Sequence, residues 1–400
     1  MTALDEFARL CAEHERCFWL DGGGSQPWSG ERSIMGWLEP DDLSLSYDAV
    51  RREVTAHPSG QIVGSDIFDV LGDLLDGDPG TNWVGYFGYA ARSDLPARSA
   101  PGLPDAVWMR ARTVRVEEGP VAVPTPGDLN QEQPAAPEAY AAAFAAVQEQ
   151  LYDGNSYEVN LTYRAEHASE REPVDIYGRL RTSNPAPYAG VLRHGDFWLL
   201  SASPERFATI DRHGRVETRP IKGTTPRGST PAQDQALRDR LATDPKFRAE
   251  NLMITDLLRN DLALVCEPGS VAVPHLMEIE SYASVHQLVS TVTGQLRPEV
   301  GVLGALRSMF PAGSMTGAPK LRTMQIIDRV EQTPRGPYAG AFGWISGDGR
   351  ADLGVVIRSL YRNGDGPWLL GTGGGITVRS DVEEEYAETL WKAARLRAAL

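Results

Sequence analysis

The chain has 400 residues, 42% of them hydrophobic and 23% charged, which is long and apolar enough for a sizeable core and argues against disorder. A net charge of −15 and a pI near 5.0 exclude a general nucleic-acid surface, so an anionic ligand would need a locally positive pocket. Cys11, Cys17 and Cys266 form no CxxC pair and no regular framework. No run approaches the roughly 18 apolar residues of a membrane span, and MTALDEFARLCAEHERC lacks the regions of a signal peptide. The expected location is a reducing cytoplasm.

Beyond the opening segment, residues 1 to 115 mix strand-like runs with turn clusters such as DGGGSQPWSG, and no helical pattern dominates. EEGPVAVPTPGDLNQEQPAAPE, residues 117–138, is rich in proline, glycine and amides and reads as a linker or long surface loop. The expected division is an N-terminal region over 1–125, a linker over 126–137 and a C-terminal domain over 138–400. EAYAAAFAAVQEQLYDG predicts a helix ending at Gly154, and YEVNLTYRAEH predicts a strand. Residues 231–265 read as helix broken near Asp244-Pro245, because proline disfavours helix in the residue before it. The last third alternates β-rich runs with helices and closes on the helical EEEYAETLWKAARLRAAL. Many β-rich runs with helices between only some of them indicate an α+β protein.

Single residues leave their chemistry open. Glu385 and Glu388 are three apart on the last helix, as a cation-binding pair or as acidic residues favoured by the helix dipole. Glu250 would complete an oxygen-rich site suited to Mg²⁺. GTGGGI, residues 371–376, is either a tight turn or a place where a ligand approaches the backbone, and VRSD after it does not read as a helix start. Lys320 opens an amphipathic helix, as a carboxylate binder or an ordinary exposed lysine. His286, in an alternating apolar run, is a core residue or a catalyst, and Arg358 in GVVIRSLYR needs a partner, from the protein or from a substrate. Glu205 in SASPERF is a surface turn residue, or a proton donor if burial raises its pKa. Lys222 in RPIKGT stands between a β-favouring run and turn chemistry. With the ordinary lysine pKa of roughly 10.4 it is no nucleophile near neutrality, so a chemical role needs burial or a nearby cation.

In order, SPERF, PIKGT, RAENLMITDLLRND, ASVHQLVSTVTG, FPAGSMTGAPK, GVVIRSL, GTGGGI and EEEYAETLWKA resemble the chorismate-utilising enzymes, over roughly residues 137 to 400. The resemblance implies a large α+β body of two packed antiparallel sheets with outer helices, the N-terminal part joining the same sandwich. It makes 138–400 a chorismate-binding catalytic domain and implies Mg²⁺-dependent chemistry. Glu250 and Glu388 match direct metal ligands, and Glu385 matches a helper acting through metal-bound water. Lys320, Arg358 and the amides around Gly373, Gly374 and Gly375 match positions that hold the substrate carboxylates. His286 matches a histidine near the leaving hydroxyl and Glu205 the acid for that group, while Thr224 and Thr293 match pocket-lining positions.

Family members that make anthranilate carry PIAGT, whereas PIKGT marks the branch that aminates chorismate to 4-amino-4-deoxychorismate, a precursor of p-aminobenzoate and folate. The mechanism this implies has the Lys222 amine attack ring C2 as the C4 hydroxyl leaves; ammonia then adds at C4 and expels the lysine. Attack needs a neutral amine, and bound Mg²⁺ with partial burial is expected to lower its pKa towards about 7 to 8. Glu158 stands where several relatives have glutamine and where isochorismate- and salicylate-forming members have a water-activating lysine, which disfavours that chemistry. Asp21 and the glycines after it depart from the LLES of feedback-regulated relatives, so tryptophan inhibition is not expected. No cysteine sits in a glutaminase nucleophile turn, so ammonia is expected from a separate glutamine amidotransferase subunit or from solution. The alternatives are anthranilate formation and a non-catalytic chorismate-binding regulatory subunit.

Overall fold

Alternation along the strands builds two buried layers. In the strand Arg16–Leu20, Phe18 joins the larger apolar core while Cys17 and Trp19 face a second cluster shared with helices. The strand Phe197–Ser203 repeats this pattern, with Phe197 and Leu199 on one side and Trp198 and Leu200 on the other. The computed structural model describes residues 2–22, 32–118, 134–282 and 285–400. Among these, the strands form one nine-stranded and one twelve-stranded sheet. The larger core draws on both, with the Phe310 ring in contact with those of Phe87 and Phe207, and Phe87 also against Trp108. Emptying such a site, as in Phe87→Ala, typically costs about 3–5 kcal/mol.

Strands from before the expected linker enter both sheets. Arg16–Leu20 pairs antiparallel with Tyr188–His194, and Asn82–Phe87 pairs antiparallel with Ala341–Ser346. Helices Ala3–Glu13, Pro173–Ser183 and Val382–Ala399 cover the outer face of the nine-stranded sheet. Helices Glu138–Tyr152 and Lys320–Glu331 pack on the strands Glu158–His167 and Trp368–Ile376. The expected α+β sandwich with outer helices is therefore the observed fold. Among the described residues no helix is long and apolar enough to cross a membrane.

The break at Asp244-Pro245 is present: Pro231–Thr243 ends there, and the Asp244 side chain accepts from the Lys246 amide at 2.8 Å to cap Pro245–Ala263. Two short helices were not expected, namely Ile67–Asp76 and Pro173–Ser183. GTGGGI is no turn: it lies in the strand Trp368–Ile376, paired residue by residue with Glu158–His167. VRSD does lead into a helix, since Asp381 accepts from the amides of Glu383 and Glu384 and caps Val382–Ala399. Most of the 126–137 linker and the glycines at 23 and 24 lie outside the described residues. Asp21 is buried, ion-paired with Arg181 and hydrogen-bonded by the Tyr177 hydroxyl at 3.0 Å.

Candidate active site

A cavity of about 170 Å³ collects most of the residues singled out above. A β-bulge aims the first of them. The strand Ile221–Pro226 pairs with Val285–Gln295, but its register shifts between Ile221 and Thr224, and Gly223 within the shift has φ +96°. Such a bulge re-aims side chains, and both Lys222 and Thr224 reach the cavity. Glu205 enters from the turn between the strands Phe197–Ser203 and Arg206–Ile210. Helix Pro245–Ala263 supplies Lys246 and Glu250; helix Val382–Ala399 supplies Glu385, Glu388 and Lys392, whose spacing keeps them on one helical face. Gly371, Gly373, Gly374 and Gly375 line the same space, where the strand comes close to other groups. A Cβ at Gly371 would collide with the Tyr338 ring, and one at Gly373 with the Leu161 carbonyl.

Four cations and four carboxylates line this cavity in a strongly acidic protein: Lys222, Lys246, Arg358 and Lys392 against Glu205, Glu250, Glu385 and Glu388. Lys246 pairs with Glu385 at 3.0 Å and Lys392 with Glu388 at 2.7 Å, while Lys392 also donates to the Gly373 carbonyl at 2.8 Å. Among the described residues Arg358 has no ion-pair partner; its guanidinium lies over the Trp391 ring at 5.3 Å, and its backbone holds the strained φ of +51°. Burial lowers the Arg358 pKa to about 10, with Glu388 opposing. This cation is available to an anionic ligand.

Burial raises the Glu205 carboxyl to about 7 against the hydrogen bond it accepts from Ser314 at 2.5 Å. Glu250 is likewise pushed up to about 7 by desolvation, partly countered by Lys222. Burial, then repulsion from Glu388, raises Glu385, whereas Lys392 holds the exposed Glu388 below its ordinary value. Lys222 departs from expectation: burial lowers its pKa, but Glu158, with which it is ion-paired, and Glu250 outweigh burial and raise it overall. These surroundings hold Lys222 as an ammonium.

The Glu250 Oε1 atom is buried and has no hydrogen-bond donor, and three further carboxylates share its cavity. Among the described residues no three acidic, histidine or cysteine side chains stand close enough to cage a metal, and Glu385 and Glu388 are ion-paired with Lys246 and Lys392. An oxygen-only donor set with an unsatisfied buried acceptor fits a hard divalent cation such as Mg²⁺.

Three expected site residues are not in the cavity. His286 faces away, bonded through Nε2 to Asp234 at 3.0 Å and through Nδ1 to Ser281 at 2.8 Å. Its neighbour Gln287 lines the cavity instead, with Oε1 buried and unpartnered, because successive residues of a strand point to opposite faces. Thr293 is buried further along that strand, opposite Glu217 and Ala272. Lys320 ties two helices together, donating to Asp261 and to the Met309 carbonyl at 2.7 Å each. Lys246, Gln287 and Lys392 had not been singled out. The four-residue spacing of Glu388 and Lys392 was a usable signal for the last.

Fold and site together define a protein with a cavity lined by lysines, an arginine and carboxylates between a glycine-rich strand and two helices. Residues 110–398 match the chorismate binding enzyme family, and the chain belongs to that family. It is 48% identical over 279 residues to an aminodeoxychorismate synthase of Streptomyces griseus, covering 70% of this chain and 38% of that protein. It is 42% identical over 257 residues to aminodeoxychorismate synthase component 1 of Salmonella typhimurium, covering 64% of this chain and 56% of that one. The chain thus aligns with little more than a third to just over half the length of these curated relatives. The crystal structure of anthranilate synthase component I from Streptococcus pneumoniae superposes with a TM-score of 0.78 at 26% identity, over 94% of this chain and 93% of that one.

Proposed function

We propose that the chain is the chorismate-binding component of an aminodeoxychorismate synthase and converts chorismate and ammonia to 4-amino-4-deoxychorismate. The observation that carries this reading is Lys222, which sits in the PIKGT sequence and lines the same cavity as the buried carboxyl of Glu205. In this scheme Arg358 and Lys392 hold the substrate carboxylates, and the glycines from 371 to 375 admit the ring close to the backbone. Lys222 forms the bond to ring C2, and Glu205 gives its proton to the departing C4 hydroxyl, a task suited to an acid of pKa about 7. Glu250 and Glu388 would hold Mg²⁺ directly and Glu385 through water. The bound ion would neutralise the substrate's ring carboxylate and the carboxylates around it.

A separate glutamine amidotransferase subunit supplies ammonia in this reading, which accords with the "component 1" in the name of the Salmonella relative. The test is mass-resolved product analysis of the purified chain with chorismate, Mg²⁺ and ammonium. A product that retains the enolpyruvyl group and carries an amino group is expected. Anthranilate with released pyruvate would overturn the reading. Turnover only after a glutaminase subunit is added would support the two-component form.

A further inference from the structure

We infer that Glu158 is a positioning residue for Lys222: it aims the Lys222 ammonium from behind the cavity and accepts its proton when the amine attacks. The inference deepens the proposed chorismate amination and rests on it. Glu158 begins the strand Glu158–His167 and is 1% exposed. Its Oε1 accepts the Lys222 ion-pair hydrogen bond, yet Lys222 lines the cavity and Glu158 does not. Asn160, two residues on and therefore on the same strand face, does line it. The carboxylate thus reaches the ligand space only through the lysine.

Two further features argue against a merely structural ion pair. The Glu158 Oε2 atom is buried without a hydrogen-bond partner, and a carboxylate left half satisfied is a poor way to stabilise a core. Gly375 is the neighbour that makes room for the pair: a Cβ there would overlap the Glu158 carboxylate and lie 2.9 Å from Lys222 Nζ. The charged groups that act on Lys222 are Glu158 from its strand, Glu250 from the helix Pro245–Ala263, Glu205 from its turn and Glu388 from the last helix. Among these, only Glu158 is hydrogen-bonded to the ammonium, so it is the acceptor in place.

The step balances without an outside base. The Lys222 ammonium gives one proton to Glu158, leaving an amine and a carboxylic acid. The amine lone pair forms the nitrogen–C2 bond, the ring double bonds shift, and the C4–oxygen bond breaks. The hydroxyl leaves as water with the proton from Glu205, whose carboxylate remains, and the linked nitrogen is a secondary ammonium. When ammonia adds at C4, lysine departs as a neutral amine and recovers its proton from Glu158. Glu158 therefore ends as it began.

The test compares Glu158→Gln and Glu158→Asp with the wild-type chain in two ways. The first is acetylation of Lys222 by acetic anhydride in the ligand-free, metal-free protein, read by peptide mass across pH. Removing the carboxylate should move the labelling midpoint down by about one pH unit or more, since burial then acts with less opposition. Aspartate should restore part of the shift, and an unchanged midpoint in Glu158→Gln would overturn the coupling. The second is the ratio of variant to wild-type kcat/KM for chorismate from about pH 9 to about pH 6 with Mg²⁺ and fixed free ammonia. Dependences common to both proteins, including those of Glu205 and the metal-binding carboxylates, cancel in the ratio. It should fall about tenfold per pH unit below the variant's amine pKa, because that amine must first lose its proton to solvent. A flat ratio would sink the proton-accepting role. If the wild-type chain makes no aminodeoxychorismate, the proposed function fails, and the labelling result still decides whether Glu158 governs Lys222.

Discussion

In the proposed reaction Glu205 and Lys222 divide the chemistry because their surroundings drive them to opposite charge states. A carboxyl raised to about 7 by burial is substantially protonated near neutrality, while Lys222 is held as an ammonium by Glu158 and Glu250. The acid must be protonated to act, so kcat/KM at fixed free ammonia should be sustained below about pH 7 and fall as pH rises through it. Glu205→Gln should lower kcat by about 10² to 10⁴ and remove that limb from the pH profile. Lys222→Ala should abolish aminodeoxychorismate formation while Mg²⁺ binding, read by calorimetry, persists; near-normal turnover would remove the covalent route. At this scale the sequence was readable where a residue type is rare in its setting, as with Lys222 and the spaced glutamates. It was not readable for His286 and Gln287. VHQLVS alternates, but nothing within it says which face looks into the cavity, and one residue of register reverses the answer.

Elements bring a second kind of constraint. The bulge at Lys222-Gly223 needs a positive φ, and a Cβ on Gly223 would press on Leu241 and Phe247 at 3.0 and 3.1 Å. Gly223→Ala should therefore cost roughly 1–3 kcal/mol in unfolding free energy and should lower kcat more than the stability loss explains, by displacing Lys222. Denaturant unfolding and steady-state kinetics on one preparation would check this; wild-type kcat in a destabilised protein would show that the bulge does not aim the lysine. Helices Glu138–Tyr152, Pro245–Ala263 and Val382–Ala399 were legible because helix formers and turn residues mark them locally. The glycine strand was not, because its composition answers to distant groups. Gly371 leaves room for Tyr338 and Gly375 for Glu158, neither of them a chain neighbour.

For the whole molecule, the two sheets join strands from both ends of the chain, and no local pattern announces pairings such as Asn82–Phe87 with Ala341–Ser346. The family motifs conveyed that architecture where composition and periodicity could not. The fold also confines carboxylates in a cavity that works against stability. Glu250 has a folded-state pKa of about 7 against an ordinary 4.5, so folding favours its protonated form. That contribution is present below about pH 4.5, declines as pH rises and is gone above about pH 7, where ionisation opposes folding. Glu250→Gln should therefore stabilise the metal-free protein at mildly alkaline pH by on the order of 1–3 kcal/mol and raise its Tm by a few degrees. Mg²⁺ should raise the wild-type Tm by binding the native state and raise that of Glu250→Gln much less, because an amide is a weaker ligand for the ion. Thermal melts of both proteins with and without Mg²⁺ decide it. Equal gains from the metal would place the ion elsewhere, and a variant less stable than wild type without metal would show that Lys222 and Lys246 already compensate the Glu250 charge. Stability lost at this carboxylate site and returned by Mg²⁺ would tie the fold to the proposed metal through free energy as well as through chemistry.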